Sequence, residues 1–401
     1  MENIAIINVC DWGSTGKIAK GFVRDFNKKG CNTYFCYGRG DAPKDDHEYR
    51  IDTSMEVKWH AICSRVTGTE GNFSTSATKR LLSKLDEWHI DSIVLVNLMG
   101  YFINRELVFE HIKRNKIRAV YLMIDEAAYT GNCGGMNDCL LYREGCRICP
   151  HFKEFPSSLF FDRSHVGYEC KKRCYSGLNS CVFVGPEYVI ENAHTSPVMH
   201  DLKMEIVDEA VDVDFYTPRD TVFLRSKLGI TEDKIIIGCV APYPNSRKGV
   251  QYLIEAARQL EDDDRYIFVQ VGYKLENKDT LPNNYIAIPP IYNQEELAYY
   301  YSLPDVFAFP SVGDTMPNTC LEALAAGTPL ICFDISGMPY MLDSTVGTLV
   351  KAKDPVALAK AIKLVKKKSK EVEESCRRYA ISRYDNKQYS NKILNILKSI
   401  E

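Results

Sequence analysis

"GDTMPNTCLEALAAGTP" occupies residues 313–329. A loop carrying Asp314 runs through Pro317 into an alanine-rich segment carrying Glu322. Proline is favoured in a first helical turn, where its missing N–H would have no intrahelical partner. The segment therefore predicts a helix opening at Pro317, Asn318 and Thr319, with bare amides and the positive end of its dipole exposed. That end suits an anion, a diphosphate above all. Glu322, about one turn inside, is placed to accept hydrogen bonds from vicinal hydroxyls such as a ribose. Asp314, in the preceding loop, is placed to reach a second polyol. A capped helix start with acids arranged to suit the dipole accounts for this one segment equally well.

The residues just before it, "DVFAFPS", read as a buried strand, and the alternation repeats in both directions. In the first half "NIAIINV", "NTYFCYG", "SIVLVNL" and "AVYLMID" are strand candidates. In the second half they are "KIIIGCV", "RYIFVQVG", "YIAIPP", "VFAFPS" and "PLICF". Wholly apolar strands separated by amphipathic helices mark parallel sheets covered on both faces. The series occurs twice around an irregular polar region, about 130–215. The expected architecture is α/β: two tandem doubly wound domains facing a cleft. The first spans 1–208, with a cysteine-rich lobe at about 130–182, and the second spans 209–384. A last helix, 385–401, is expected to pack back on the first domain, and the hinge is expected near 207–218. Ligands in such sheets bind beyond the carboxyl ends of the strands.

Two more strand–loop–helix junctions fit that rule. In "IIIGCVAPYPNSRKGVQYLIEAARQL" (235–260) Arg247 and Lys248 stand beside Gly249 where the helix begins. Two cations there can neutralise a diphosphate leaving group. An Arg-Lys pair alone is more often a solvated surface pair. In "CDWGSTGKIAK" (10–20), Gly13 and Gly16 permit close backbone approach, while Ser14 and Thr15 offer amides and hydroxyls. This loop is neither a dinucleotide fingerprint nor a Walker loop.

The whole composition bounds the rest. A chain of 401 residues, 45% hydrophobic and 26% charged with net charge −3, is an ordinary globular chain with no field to recruit nucleic acid. Its start, "MENIAIINVCDWG", lacks the long apolar core and basic flank expected of a signal peptide, and no run approaches transmembrane length. Fifteen cysteines are then expected as reduced thiols in the cytoplasm. Cys133, Cys139, Cys146 and Cys149 (C-x5-C-x6-C-x2-C) have spacings open to a structural zinc or, more remotely, an iron–sulfur cluster. Buried reduced thiols in a compact lobe are the alternative. "KLVKKKSKEVEE" (363–374) reads as one solvated helix face. "TKRLLSK" and the lysines of the first helix read as ordinary helix surface, with anionic headgroups as a second reading. Tyr292 lies where a nucleobase would stack.

In order, spacing and residue types the chain resembles the retaining GT-B glycosyltransferases of family 4. "PSVGDTMPNTCLEALAAGTPLICFDISG" is similar to that family's P-S-x-x-E-x7-E stretch, with Asp314 where glutamate is usual. Arg247-Lys248-Gly249 and "GSTGKI" match its two donor loops. The N-terminal half resembles the bacterial capsular and colanic-type polysaccharide subgroup, on "RVTGTEGNFSTSATKRLL" (65–82), "VNLMGYFIN" (96–104) and "IDEAAYTGNCGGMNDCLLYREGCRICP" (124–150). The resemblance implies that Arg247 and Lys248 hold the donor diphosphate, Glu322 the ribose, and Asp314 the transferred hexose. It implies contacts from Pro317, Asn318 and Thr319 to sugar or phosphate, closure by Gly13, Ser14, Thr15 and Gly16, and a front-face mechanism without a catalytic metal. Val96, Met99 and Ile124 stand where the subgroup shows histidines; the one at 124 commonly faces the reacting sugar, so its loss implies an altered acceptor site, a role passed to Asp125 or Glu126, or weak activity. The implied partners are a UDP- or GDP-linked sugar and a glycan or polyprenyl-diphosphate-linked acceptor. The implied location is the cytoplasm, with peripheral contact at the inner membrane face. Two other functions compete. One is a degenerate member that binds nucleotide-sugar or glycan without transfer. The other, a metal-binding interaction module, leaves the second half's motifs unexplained.

Overall fold

The computed structural model describes residues 1–134, 139–274 and 281–401. Two compact units divide them: Met1–Val207 with Lys387–Glu401, and Asp208–Asn386.

The first unit holds β1 (Asn3–Cys10), β2 (Asn32–Arg39), β3 (Glu48–Arg50), β4 (Ser92–Leu95), β5 (Arg118–Leu122), β6 (Cys181–Gly185) and β7 (Lys203–Ile206). They form one parallel sheet in the order β3-β2-β1-β4-β5-β6-β7. The second unit holds β8 (Ile235–Tyr243), β9 (Tyr266–Tyr273), β10 (Tyr285–Ile288), β11 (Val306–Phe309), β12 (Leu330–Phe333) and β13 (Gly347–Val350). Its parallel order is β10-β9-β8-β11-β12-β13. Ile4 to Ile7 and Ile93 to Leu95 are wholly buried, as a sheet covered on both faces requires. In each sheet the strand order reverses once, between β1 and β4 and between β8 and β11. Those are the switch points where ligands bind in open α/β sheets.

The region expected to be irregular, 130–215, is partly regular. It contains helix Ser164–Tyr175, β6, helix Glu187–His194 and β7. The apolar run "CVFVG" of β6 is short, and the edge strand β7 is largely exposed, so neither stood out from its polar surroundings. The stretch 363–374 is not one solvated helix. Helix Pro355–Ile362 ends before it and helix Lys370–Tyr384 begins within it. Between them Lys368 turns inward, donating to the Ser302 carbonyl and Thr328 Oγ1, each at 2.8 Å. Burial lowers its pKa to about 8.

The last helix, Asn386–Ser399, lies within the first unit from Lys387 onward. Ile393 and Leu397 are fully buried, Tyr389 packs on Phe22 at 5.4 Å, and Ser390 donates to Asp25 at 2.8 Å.

Candidate functional site

In the second unit the loops after β8 and β11 emerge side by side at the switch point. Arg247 and Lys248 lie in a single 3-10 turn, Ser246–Lys248, opened by Asn245, whose side chain accepts from the Arg247 amide. The Arg247 carbonyl accepts from the Val312 amide at 2.9 Å and faces the Ser311 hydroxyl at 2.9 Å. The Arg247 guanidinium donates twice to the Gly313 carbonyl, from Nε at 3.1 Å and Nη2 at 2.8 Å. Lys248 Nζ donates to Asp314 Oδ1 at 2.8 Å, and its ammonium lies over the Phe309 ring. Asp314 Oδ2 faces the Ser311 hydroxyl at 2.5 Å. Both carboxylate oxygens are thus held, with the pair 27% and 13% exposed. The part-buried pair is thereby fixed in orientation.

Gly249 makes this contact possible. Its φ is +68°, and a Cβ there would stand 1.7 Å from the Pro310 carbonyl oxygen. Gly337 plays the same part beyond the site. Its amide donates to the Asp314 carbonyl, and a Cβ would stand 1.6 Å from the Thr315 oxygen.

Helix Asn318–Ala325 starts just after this loop. Pro317 is its N-cap, one position earlier than a first-turn proline, and no side chain caps the helix. Its first amides have no intrahelical acceptor. The buried Thr319 Oγ1 has no hydrogen-bond partner among the described residues. Glu322 is 7% exposed, behind that helix start. Burial, and then the nearby Glu322 charge, push the Tyr216 and Tyr301 hydroxyls well above the ordinary tyrosine range. Cations, a shielded carboxylate, an uncapped helix start and a buried acid therefore meet within one unit. Tyr292 is 88% exposed, outside any packed surface.

In the first unit, helix Gly13–Lys28 follows β1 with no side-chain cap. Gly13 has φ +69°, and a Cβ on Gly16 would stand 2.7 Å from the Asp11 carbonyl carbon. Thr15 Oγ1 faces inward, accepting from Asn8 Nδ2 at 3.1 Å, so this residue offers a ligand its amide more than its hydroxyl. Asp125 follows β5 and caps the 3-10 turn Glu126–Ala128 through the Ala127 amide. Burial raises its pKa, against the opposing pull of that amide and of Lys171. Lys171 carried no signal in sequence, lying on helix Ser164–Tyr175 in a basic run. Its buried ammonium donates to the carbonyls of Ala127, Thr130 and Gly131 at 2.5, 2.9 and 2.7 Å, which fixes the loop behind Asp125. Val96 and Met99 are buried apolar side chains and offer no polar group.

Cys133, Cys139, Cys146 and Cys149 line one cavity of about 20 Å3, room for a single small occupant. The Gly131 amide donates to Cys146 Sγ at 3.2 Å. Among the described residues no three His, Cys, Asp or Glu side chains are placed to hold a metal ion. Cys170, Cys174 and Cys181 do not join this group: they lie buried in helix Ser164–Tyr175 and β6.

Residues 220–383 match the family model described as glycosyl transferases group 1. D-inositol 3-phosphate glycosyltransferase of Geodermatophilus obscurus is 31% identical over 197 residues, 44% of this chain and 43% of that protein. The putative teichuronic acid biosynthesis glycosyltransferase TuaC of Bacillus subtilis is 30% identical over 139 residues, 35% of each. The chain thus spans less than half the length of these curated relatives. Among solved structures, Anabaena Alr3699/HepE in complex with UDP aligns over 100% of both chains with TM-score 0.69 and 13% identity. Sucrose-phosphate synthase from Thermosynechococcus elongatus aligns over 99% of this chain and 98% of its own, with TM-score 0.68 and 13% identity. At such identities the likeness is one of fold. The fold is GT-B, built from two Rossmann-like domains.

Gly249→Ala tests the interlocked loops. The positive φ and the Pro310 contact set an expected cost of about 2 kcal/mol or more, a fall of several degrees in the melting temperature. An unchanged melting curve would show that the two loops separate at no cost.

Proposed function

We propose that the protein is a retaining glycosyltransferase. It moves a hexose-type sugar from a UDP- or GDP-linked donor to a growing, lipid-linked bacterial surface polysaccharide, at the cytoplasmic face of the membrane. The observation that carries this reading is the Lys248–Asp314 pair beside Arg247, set at a switch point against an uncapped helix start. Lys248 has three N–H donors and spends one on Asp314, so two are free for phosphate oxygens. Arg247 adds a second fixed cation. Charge developing on the departing diphosphate meets groups already in place, which lowers the barrier without a metal ion. Asp314, locked by Lys248 and Ser311, presents its remaining lone pairs to the hydroxyls of the transferred sugar. The Asn318 and Thr319 amides, set by Pro317 before them, face phosphate or sugar, Glu322 takes the ribose, and the Gly13–Gly16 turn closes over the donor. In a front-face reaction the leaving phosphate takes the acceptor proton, and Asp125 orients the reacting sugar. The group 1 match over 220–383 and the UDP-bound fold neighbour support this reading.

A second reading rests on Val96 and Met99. With apolar side chains there, the protein binds its nucleotide-sugar without transferring it. A structural zinc is the corresponding proposal for the cysteine lobe, supported by the cavity that the four thiols share.

Thermal unfolding with UDP, GDP and ADP tests donor binding. A ligand at a hundredfold its dissociation constant adds about 2.7 kcal/mol to native stability, several degrees in the melting temperature. The expected result is a shift with UDP or GDP and none with ADP. Lys248→Ala is expected to lose about a hundredfold or more in turnover. Full transfer by that variant rejects the donor-site assignment, and a nucleotide shift without any wild-type transfer selects the binding reading. Metal analysis of the purified chain tests that proposal: about one zinc, lost in Cys146→Ser/Cys149→Ser, supports it. Metal-free protein of unchanged stability makes the lobe a packed set of thiols.

A further inference from the structure

Helix Ser54–Thr67 is turned inside out. Its buried residues are His60 and Ser64, and His60 Nδ1 lies 2.8 Å from Ser74 Oγ. Its large apolar residues face solvent: Met55 is 81% exposed, Trp59 67%, Ile62 54% and Val66 41%. Spaced i, i+4, i+7 and i+11, they form one stripe along a helix about 20 Å long. A second apolar ridge runs beside its end. Leu159, Phe160 and Phe161 are each more than half exposed, and the Leu159 amide donates to the Arg65 carbonyl at 2.8 Å. An apolar surface of this kind marks a binding face rather than ordinary surface.

The charges around it select the occupant. Lys58, Arg65, Lys153 and Arg163 are exposed, and none is in an ion pair among the described residues. The neighbouring acids are all turned onto protein donors. Glu56 is held by Thr53 and by Arg80 at 2.7 Å, and Glu154 by His151 at 2.9 Å. Asp162 accepts from the amides of Cys149 and Ser164. An apolar stripe with tryptophan at its centre and an unopposed basic rim matches the interface of an anionic bilayer. No described helix is long and apolar enough to cross a membrane, so the contact is one of docking. The "TKRLLSK" surface is a poorer candidate, because Arg80 and Lys84 are paired with Glu56 and Glu87.

We propose that the outward face of helix Ser54–Thr67, with Leu159–Phe161 beside it, docks the protein on a negatively charged phospholipid surface. This deepens the lipid-linked acceptor of the proposed function, while the docking itself is measured without donor or turnover. The test is co-sedimentation of the full chain with vesicles of phosphatidylcholine alone and with roughly one third phosphatidylglycerol. The protein is expected to pellet with the anionic vesicles, and Trp59→Ser/Ile62→Ser to reduce its partition about tenfold or more. Lys58→Glu is expected to weaken the preference for anionic lipid. Melting curves of the variants should match the parent, since all three side chains lie outside the core. Wild-type protein that stays in the supernatant with both vesicles overturns the proposal, as does a double variant that pellets like the parent. A self-association in solution abolished by the same double variant also overturns it, assigning the face to a second copy. The nucleotide-induced melting shift reads the donor site separately, so loss of docking with that shift intact leaves the transferase reading standing.

Discussion

The contact of Gly249 against the Pro310 carbonyl holds the candidate site together. It brings the loop after β8 onto the loop after β11, so the Arg247 carbonyl can accept from Val312 and Lys248 can reach Asp314 at 2.8 Å. Two cations and a carboxylate in separate stretches of chain then act as one rigid group. The cations are held by a carbonyl and a carboxylate instead of being free in solvent, which is the preorganisation that charge stabilisation requires. The same geometry explains why the acid at 314 tolerates being an aspartate. Its two oxygens are already aimed by Lys248 and Ser311, so a short side chain is sufficient to stay in place.

The second unit was the more legible half. Its strands are mostly apolar runs, and its chemistry sits in the loops directly after β8 and β11. The pairing of Asp314 with Lys248 was not legible, because it joins positions 66 residues apart through a fold-level contact. Nor was the partner set of Glu322: Tyr216 and Tyr301 come from a loop and a helix far from it in sequence. The inward turn of Lys368 escaped for a related reason. A run of lysines looks solvated until a helix break places one of them over the carbonyl and hydroxyl of Ser302 and Thr328.

The first unit was read less well. Edge strand β3 is short and half-buried, edge strand β7 is short and largely exposed, and β6 sits in a polar segment, so periodicity had little to report. Thr15 looked like a phosphate ligand, yet Asn8, fully buried at the end of the same strand–loop junction, turns its hydroxyl inward. Helix Ser54–Thr67 was invisible as a feature. Its apolar spacing in sequence is that of a core-facing helix, and only the structure shows that its stripe faces outward while His60 and Ser64 face in. Periodicity reports that one face is apolar and says nothing about which medium covers it.

The central claim is that Arg247, Lys248 and the uncapped start of helix Asn318–Ala325 form a diphosphate site. Calorimetric titration with UDP and with uridine, on the wild type and on Lys248→Ala, tests it most directly. The expected result is that UDP binds the wild type at least about a hundredfold more tightly than uridine, and that Lys248→Ala closes most of that gap. Equal binding of UDP and uridine by the wild type, or a gap untouched in the variant, would contradict it.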